Sequence, residues 1–69
     1  PMEFVVYLLV SIFHKTESEA EKIMMNVHTI GEGIAGLYPL QIAEQKTYET
    51  LKESKENQYP LNVILRESN

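Results

Sequence analysis

Thr16-Glu17-Ser18-Glu19-Ala20-Glu21-Lys22-Ile23-Met24-Met25-Asn26-Val27-His28-Thr29-Ile30-Gly31 is the stretch around which the rest of the chain is read. Thr16 followed three residues later by Glu19 is a capping-box pattern, in which a hydroxyl and a carboxylate each satisfy a backbone N–H left over at a helix start. Ser18 with Glu21 offers the same pattern slightly later. Ala20, Ile23, Met24 and Val27 then recur at three- and four-residue spacing, the signature of one buried helical face, while Glu21, Lys22 and Asn26 fall on the outer side. Gly31 is placed to end this helix in a left-handed cap.

Working outward toward the start, Phe4 to Val10 is an apolar run of seven residues. A membrane-spanning helix needs about 20. The run does not read as a signal peptide, since no basic leader precedes it and no small-residue cleavage pattern follows. Pro1 suits a first helical position, Glu3 favours the positive end of the helix dipole, and Met2, Val5, Leu9 and Ile12 fall on one stripe. These features predict a helix from Pro1 to about His14. The β-branched pair Val5-Val6 leaves a buried strand as the competing reading, which the length of the segment disfavours.

Toward the other end, Gly31 to Tyr38 is punctuated by glycine and carries Ile34, Leu37 and Tyr38, which predicts a short strand with close backbone approach. Pro39 opens a third helix whose buried stripe is predicted as Leu40, Ala43, Thr47 and Leu51, with Glu44, Glu49, Lys52, Glu53, Lys55 and Glu56 on the wet side. Asn57-Gln58-Tyr59-Pro60 breaks that helix. Leu61, Val63 and Leu65 then alternate with Asn62, Ile64 and Arg66 as a final strand. Two short strands separated by a full helix make a poor sheet, so the expected fold is α+β, three helices on a small sheet whose first strand lies upstream of Pro1.

Composition bounds the function. The chain has 69 residues and a net charge of −4, with six Lys and Arg against ten acidic residues, all of them Glu. One modest core is expected, and the acidic balance lacks the clustered cations that nucleic acid requires. The absence of Asp removes the usual residues of EF-hand loops, Ser-His-Asp triads and Asp-based phosphoryl chemistry. The absence of Cys removes disulfide frameworks, thiolate zinc sites and cysteine nucleophiles, and fits a reducing compartment.

Five segments in order carry a resemblance to a known family: Pro1-Met2-Glu3-Phe4-Val5, Ala20 to His28, Gly33-Ile34-Ala35-Gly36, Ile42-Ala43-Glu44-Gln45-Lys46 and Tyr59-Pro60-Leu61. Together they resemble the ClpS family of protease adaptors, through nearly the whole chain. The resemblance implies one core domain over residues 1–69, N-terminally incomplete, with the ClpS-like fold that also occurs in the C-terminal domain of the ribosomal stalk protein. It implies a cytoplasmic adaptor, without catalysis or cofactor, that binds proteins bearing an N-terminal Leu, Phe, Tyr or Trp. The adaptor delivers them to a AAA+ unfoldase of the ClpA or ClpC type for degradation by ClpP. The side-chain pocket aligns with Met2, Val5, Met24, Val27 and Leu61, and the amine-recognising histidine with His28. The family's Asn-Asp pair, which also holds the amino group, falls just before Pro1. On the third helix Lys46 matches a lysine of the unfoldase-facing surface, and Gln41 stands where an acidic residue is usual. Neither nucleic acid nor membrane is an implied partner. A monomer is expected for the complete domain, and strand-mediated association where the upstream strand is lacking.

The residues are compatible with that assignment on physical grounds. Met24, Val27 and His28 stand at i, i+3 and i+4, so one helical patch presents two apolar groups beside a polar ring. Thioethers suit a pocket that accepts Leu and several aromatics. A neutral imidazole accepts a hydrogen bond from an ammonium and loses that capacity on protonation. By spacing alone, Met24 and Val27 read as ordinary core residues and His28 as a satisfied or half-exposed histidine, and it is the resemblance that reverses this balance. His14 is read as a structural residue at the end of the first helix. His14 and His28 lack the spacing of a helical metal site. The alternative from another class is a structural or assembly domain of the ribosomal-stalk type that docks a protein partner and has no pocket.

Overall fold

The computed structural model describes residues 2–68. Three helices follow one another: α1 over Met2–Ser11, α2 over Glu17–Ile30 and α3 over Leu40–Glu56. The described residues form two compact units, one running to Gly36 and the other beginning at Leu37.

In the first unit α1 packs on α2. Residues 12–16 connect them in a short turn. The turn is held by the backbone. The Ile12 N–H donates to the Leu8 carbonyl at 2.8 Å, and the Lys15 N–H reaches back to the Leu9 carbonyl at 3.0 Å. Between them His14 adopts φ 54°, a left-handed conformation in which histidine is enriched among side-chain-bearing residues. His14 therefore lies beyond the last turn of α1, which ends at Ser11, and serves the turn rather than the helix end expected of it. Leu8, Leu9 and Ala20 are the buried hydrophobic residues, with Val5 and Ile12 half-buried beside them. Burying each leucine contributes about 1.5 to 3 kcal/mol. Ala20 has no exposed surface at all, so the two backbones approach where the side chain is smallest.

The start of α2 is built as its sequence predicts. The Glu19 N–H donates to the Thr16 hydroxyl at 3.1 Å and the Thr16 N–H donates to a Glu19 carboxylate oxygen at 2.9 Å, a reciprocal capping box. At the other end Gly31 takes φ 90° and donates its N–H to the Val27 carbonyl at 3.1 Å. The chain then turns back along α2. A Cβ added at Gly33 would lie 3.0 Å from the Ile23 carbonyl oxygen and 3.1 Å from Cγ2 of Val27, so a larger residue would require these neighbours to give way.

The second unit is organised by α3. Pro39, at φ −55° and ψ 150°, is its N-cap and supplies no side-chain hydrogen bond, while its carbonyl accepts the Ala43 N–H at 2.9 Å. The helix ends in a Schellman arrangement: the Gln58 N–H donates to the Lys55 carbonyl at 3.1 Å and the Tyr59 N–H to the Ser54 carbonyl at 2.7 Å. Gln58 holds the left-handed position, φ 57°, that glycine usually fills. The Leu61 N–H donates to the Tyr59 carbonyl at 2.9 Å, a tight turn around Pro60.

Two expectations are corrected. The α+β fold with a small sheet is overturned, because the described residues contain three helices and no strand. A strand is held by ladder hydrogen bonds to a neighbouring strand, and neither candidate segment has one here. Ile34 and Leu37 stay 74% and 72% exposed and Ile64 64%, far from the buried faces of sheet strands. Alternation survives in part at the end of the chain, where Leu61 and Val63 are half-buried between exposed Asn62 and Ile64, but it marks a face and not a pairing. The buried stripe of α3 also differs. Leu40 and Leu51 are exposed, whereas Thr50 and Ser54 are buried, with Ala43 and Thr47 half-buried on the same side. The two hydroxyls are satisfied within the helix, Thr50 donating to the Lys46 carbonyl and Ser54 to the Thr50 carbonyl, both at 2.8 Å.

Two tests follow from these helix ends. The Glu19 carboxyl is held below its ordinary value of 4.5, chiefly by the Thr16 backbone N–H and then by its hydroxyl. Its folded value is depressed, so the stability it adds is complete above the ordinary glutamate range and disappears as pH falls through the folded value. In thermal melts followed by circular dichroism, Thr16→Ala should cost about 1 kcal/mol near neutrality, and the difference between native protein and Glu19→Gln should shrink in acid; a gap independent of pH would contradict the cap. Separately, Gln58→Gly should gain about 0.5 to 1 kcal/mol in urea unfolding by relieving the left-handed residue, and a loss would mean that the glutamine side chain has another task.

Candidate functional site

The stripe that seats α2 on α1 continues past the packed region. Ala20, Met24, Val27 and His28 lie on one side of the helix, and their exposure rises along it: Ala20 is buried, Met24 and Val27 are half-buried, and His28, in the last turn, is exposed. On α1 the gradient runs the other way. Met2 is 49% exposed and Val5 half-buried, whereas Leu8 and Leu9 are closed off. The open part of the α1 stripe is thus near its start, at Met2 and Val5, and that of the α2 stripe near its finish, at Met24, Val27 and His28. The Gly33 segment approaches Val27 directly.

The chemistry of these side chains is simple. Two thioethers, two valines and one imidazole offer polarisable apolar surface with a single group able to accept or donate a hydrogen bond. Phe4 and Tyr7, one turn apart on α1, have their rings 6.2 Å apart at 26°. No group of three or more metal-ligating side chains occurs among the described residues, and no helix of the described residues is long and apolar enough to cross a membrane.

The remaining residues singled out from the sequence lie in the second unit. Leu61 is half-buried, directly after the tight turn at Pro60. Gln41 is exposed in the first turn of α3, and Lys46 is half-buried further along. Five residues apart on a helix, they point about 140° away from one another, so they do not form one adjacent pair. Lys46 has a neighbour that sequence reading missed: its Nζ lies 5.2 Å from the centroid of the Tyr38 ring. An aromatic residue immediately before a helix-opening proline is the available signal, and spacing rules within one helix do not extend to it.

Comparison with known proteins agrees with the order of segments noted above. The family model described as "ATP-dependent Clp protease adaptor protein ClpS" matches residues 1–64. Among curated relatives, the ATP-dependent Clp protease adapter protein ClpS of Bdellovibrio bacteriovorus is 46% identical over 67 residues, covering 97% of this chain and 59% of the relative. Its namesake in Wolinella succinogenes is 42% identical over 66 residues, covering 96% of this chain and 65% of the relative. The one from Shewanella pealeana is 41% identical over 68 residues, 99% of this chain and 67% of the relative. The chain therefore spans about three fifths to two thirds of the length of these relatives. With a family match running through nearly every residue, the chain belongs to the ClpS family of ATP-dependent Clp protease adaptors.

Proposed function

We propose that this chain is the substrate-selecting part of a Clp protease adaptor, one that binds proteins by a bulky hydrophobic N-terminal residue and brings them to a AAA+ Clp unfoldase. The observation that carries the reading is the placement of Met24, Val27 and His28 on one side of α2, with exposure that rises toward His28, in a unit where Met2 and Val5 of α1 are also partly open. In this reading the thioethers and valines receive the N-terminal side chain, Leu, Phe, Tyr or Trp, and the His28 imidazole accepts a hydrogen bond from the α-ammonium group. The family membership supports the adaptor role, and the residue roles rest on the chemistry of the patch. In this reading the adaptor selects and the protease acts.

Magnitudes bear on how the patch works. Burying a Phe-sized group contributes about 1.5 to 3 kcal/mol, and a hydrogen bond to a charged group about as much again. Micromolar affinity corresponds to about 8 kcal/mol. The apolar patch and His28 together fall short of that, so further groups that hold the amine are part of the proposal. Docking to the unfoldase is assigned to α3, through Lys46 and the exposed Gln41. With glutamine where the family usually has an acidic residue, the charged share of that contact falls to the lysine.

Fluorescence anisotropy of the full-length protein tests the reading with peptides that differ only in their first residue. Peptides starting in Phe or Leu should bind at least about ten-fold more tightly than one starting in Ala, the effect of one buried large side chain. His28→Ala should weaken the Phe peptide by about ten-fold or more. Equal affinity for the Phe and Ala peptides would overturn the proposal, and an inert His28→Ala would overturn the role given to the imidazole.

A further inference from the structure

We propose that Tyr38 is a positioning residue for Lys46, its ring holding the lysine ammonium as a fixed positive charge that meets a carboxylate on the unfoldase. This deepens, and rests on, the docking role assigned to Lys46 above. The Nζ of Lys46 stands 5.2 Å from the Tyr38 ring centroid, inside the range of about 6 Å at which a ring face attracts a cation. Both side chains are half-buried and both belong to the second unit.

The backbone around Tyr38 is preset for this contact. A residue before proline is confined to extended conformations, and Pro39 in turn is tied to α3 by the Ala43 N–H. The ring is therefore attached to the start of the same helix that carries the lysine. Lysine has much rotamer freedom to lose when it docks, and a side chain already held loses less. The charge balance makes the point sharper. The whole chain carries −4, a field that repels an acidic partner at long range. A cation that is to recognise a carboxylate against that field works best at one defined position, and Gln41 offers no charge to share the task.

A double-mutant cycle on the full-length protein tests this, with affinity measured for purified ClpA-type and ClpC-type unfoldases. Lys46→Met should weaken binding to whichever of the two is the partner by about ten-fold. Tyr38→Leu should weaken it two- to five-fold, as expected for a part-exposed cation–π contact, while Tyr38→Phe, which keeps the ring, should stay close to native. In the Lys46→Met background Tyr38→Leu should change nothing further. In NMR spectra of the native protein the Lys46 ε-methylene protons should be shifted upfield by the ring, a readout that does not depend on any variant folding. If Lys46→Met weakens binding but Tyr38→Leu does not, or does so equally with and without the lysine, Tyr38 has no positioning role and the docking assignment stands. An absent ring shift likewise overturns the positioning role alone. If Lys46→Met leaves both unfoldases unaffected, the docking assignment fails and the inference fails with it.

Discussion

Ala20 is shut off from water completely, and the use of the first unit depends on that closeness. A larger residue at this point would push α2 away from Leu8 and Leu9 and force neighbours off their rotamers, a change that typically costs about 1 to 3 kcal/mol. The side of α2 that is buried at Ala20 also carries Met24, Val27 and His28, and its exposure rises from Ala20 to His28. Nothing special is required of the sequence beyond a steady apolar spacing and the small residue Ala20.

The capping of α2 bears on the same surface from both directions. The reciprocal bonds of Thr16 and Glu19 define where the helix begins, and a helix that begins at a fixed residue has a fixed angular phase throughout. His28, twelve residues beyond Thr16, is aimed by that phase. Gly31 and Gly33 then return the chain along α2, the first through its left-handed backbone and the second through the room left by its missing side chain. Val27 is held between its own helix and this returning segment.

Much of this was legible in the sequence because it is local. The capping box, the glycine stop and the Ala20, Ile23, Met24 and Val27 face are decided within one helix, and they stand as read. The end of α1 was placed too late because Ile12, Phe13 and His14 continue an apolar pattern through a turn, and only the left-handed backbone at His14 shows where the helix has stopped. The sheet was misread for a different reason. Alternation at Leu61 to Arg66 and the glycines before Tyr38 describe what a strand would look like, whereas a strand exists only with a partner. On α3 the larger residues Leu40 and Leu51 suggested the buried side, yet Thr50 and Ser54 occupy it. Size and hydropathy favoured the leucines, and the ability of short hydroxyl side chains to satisfy themselves on their own helix was not weighed. The shared side of Met24, Val27 and His28 on α2 follows from their spacing, while Tyr38 beside Lys46 joins residues that no periodic pattern links.

Thr50 and Ser54 close their hydrogen bonds on the carbonyls one turn back along their own helix, and Ser11 and Thr29 do the same at exposed positions of α1 and α2. A buried hydroxyl satisfied in this way makes no demand on whatever lies over it. The covered side of α3 therefore selects its neighbours by contour and not by polarity, and it imposes no requirement for a matching donor or acceptor on the chain that covers it. Sequence drift on the opposing surface is then limited only by volume, which leaves a small domain freer to vary there than its buried polar residues would suggest.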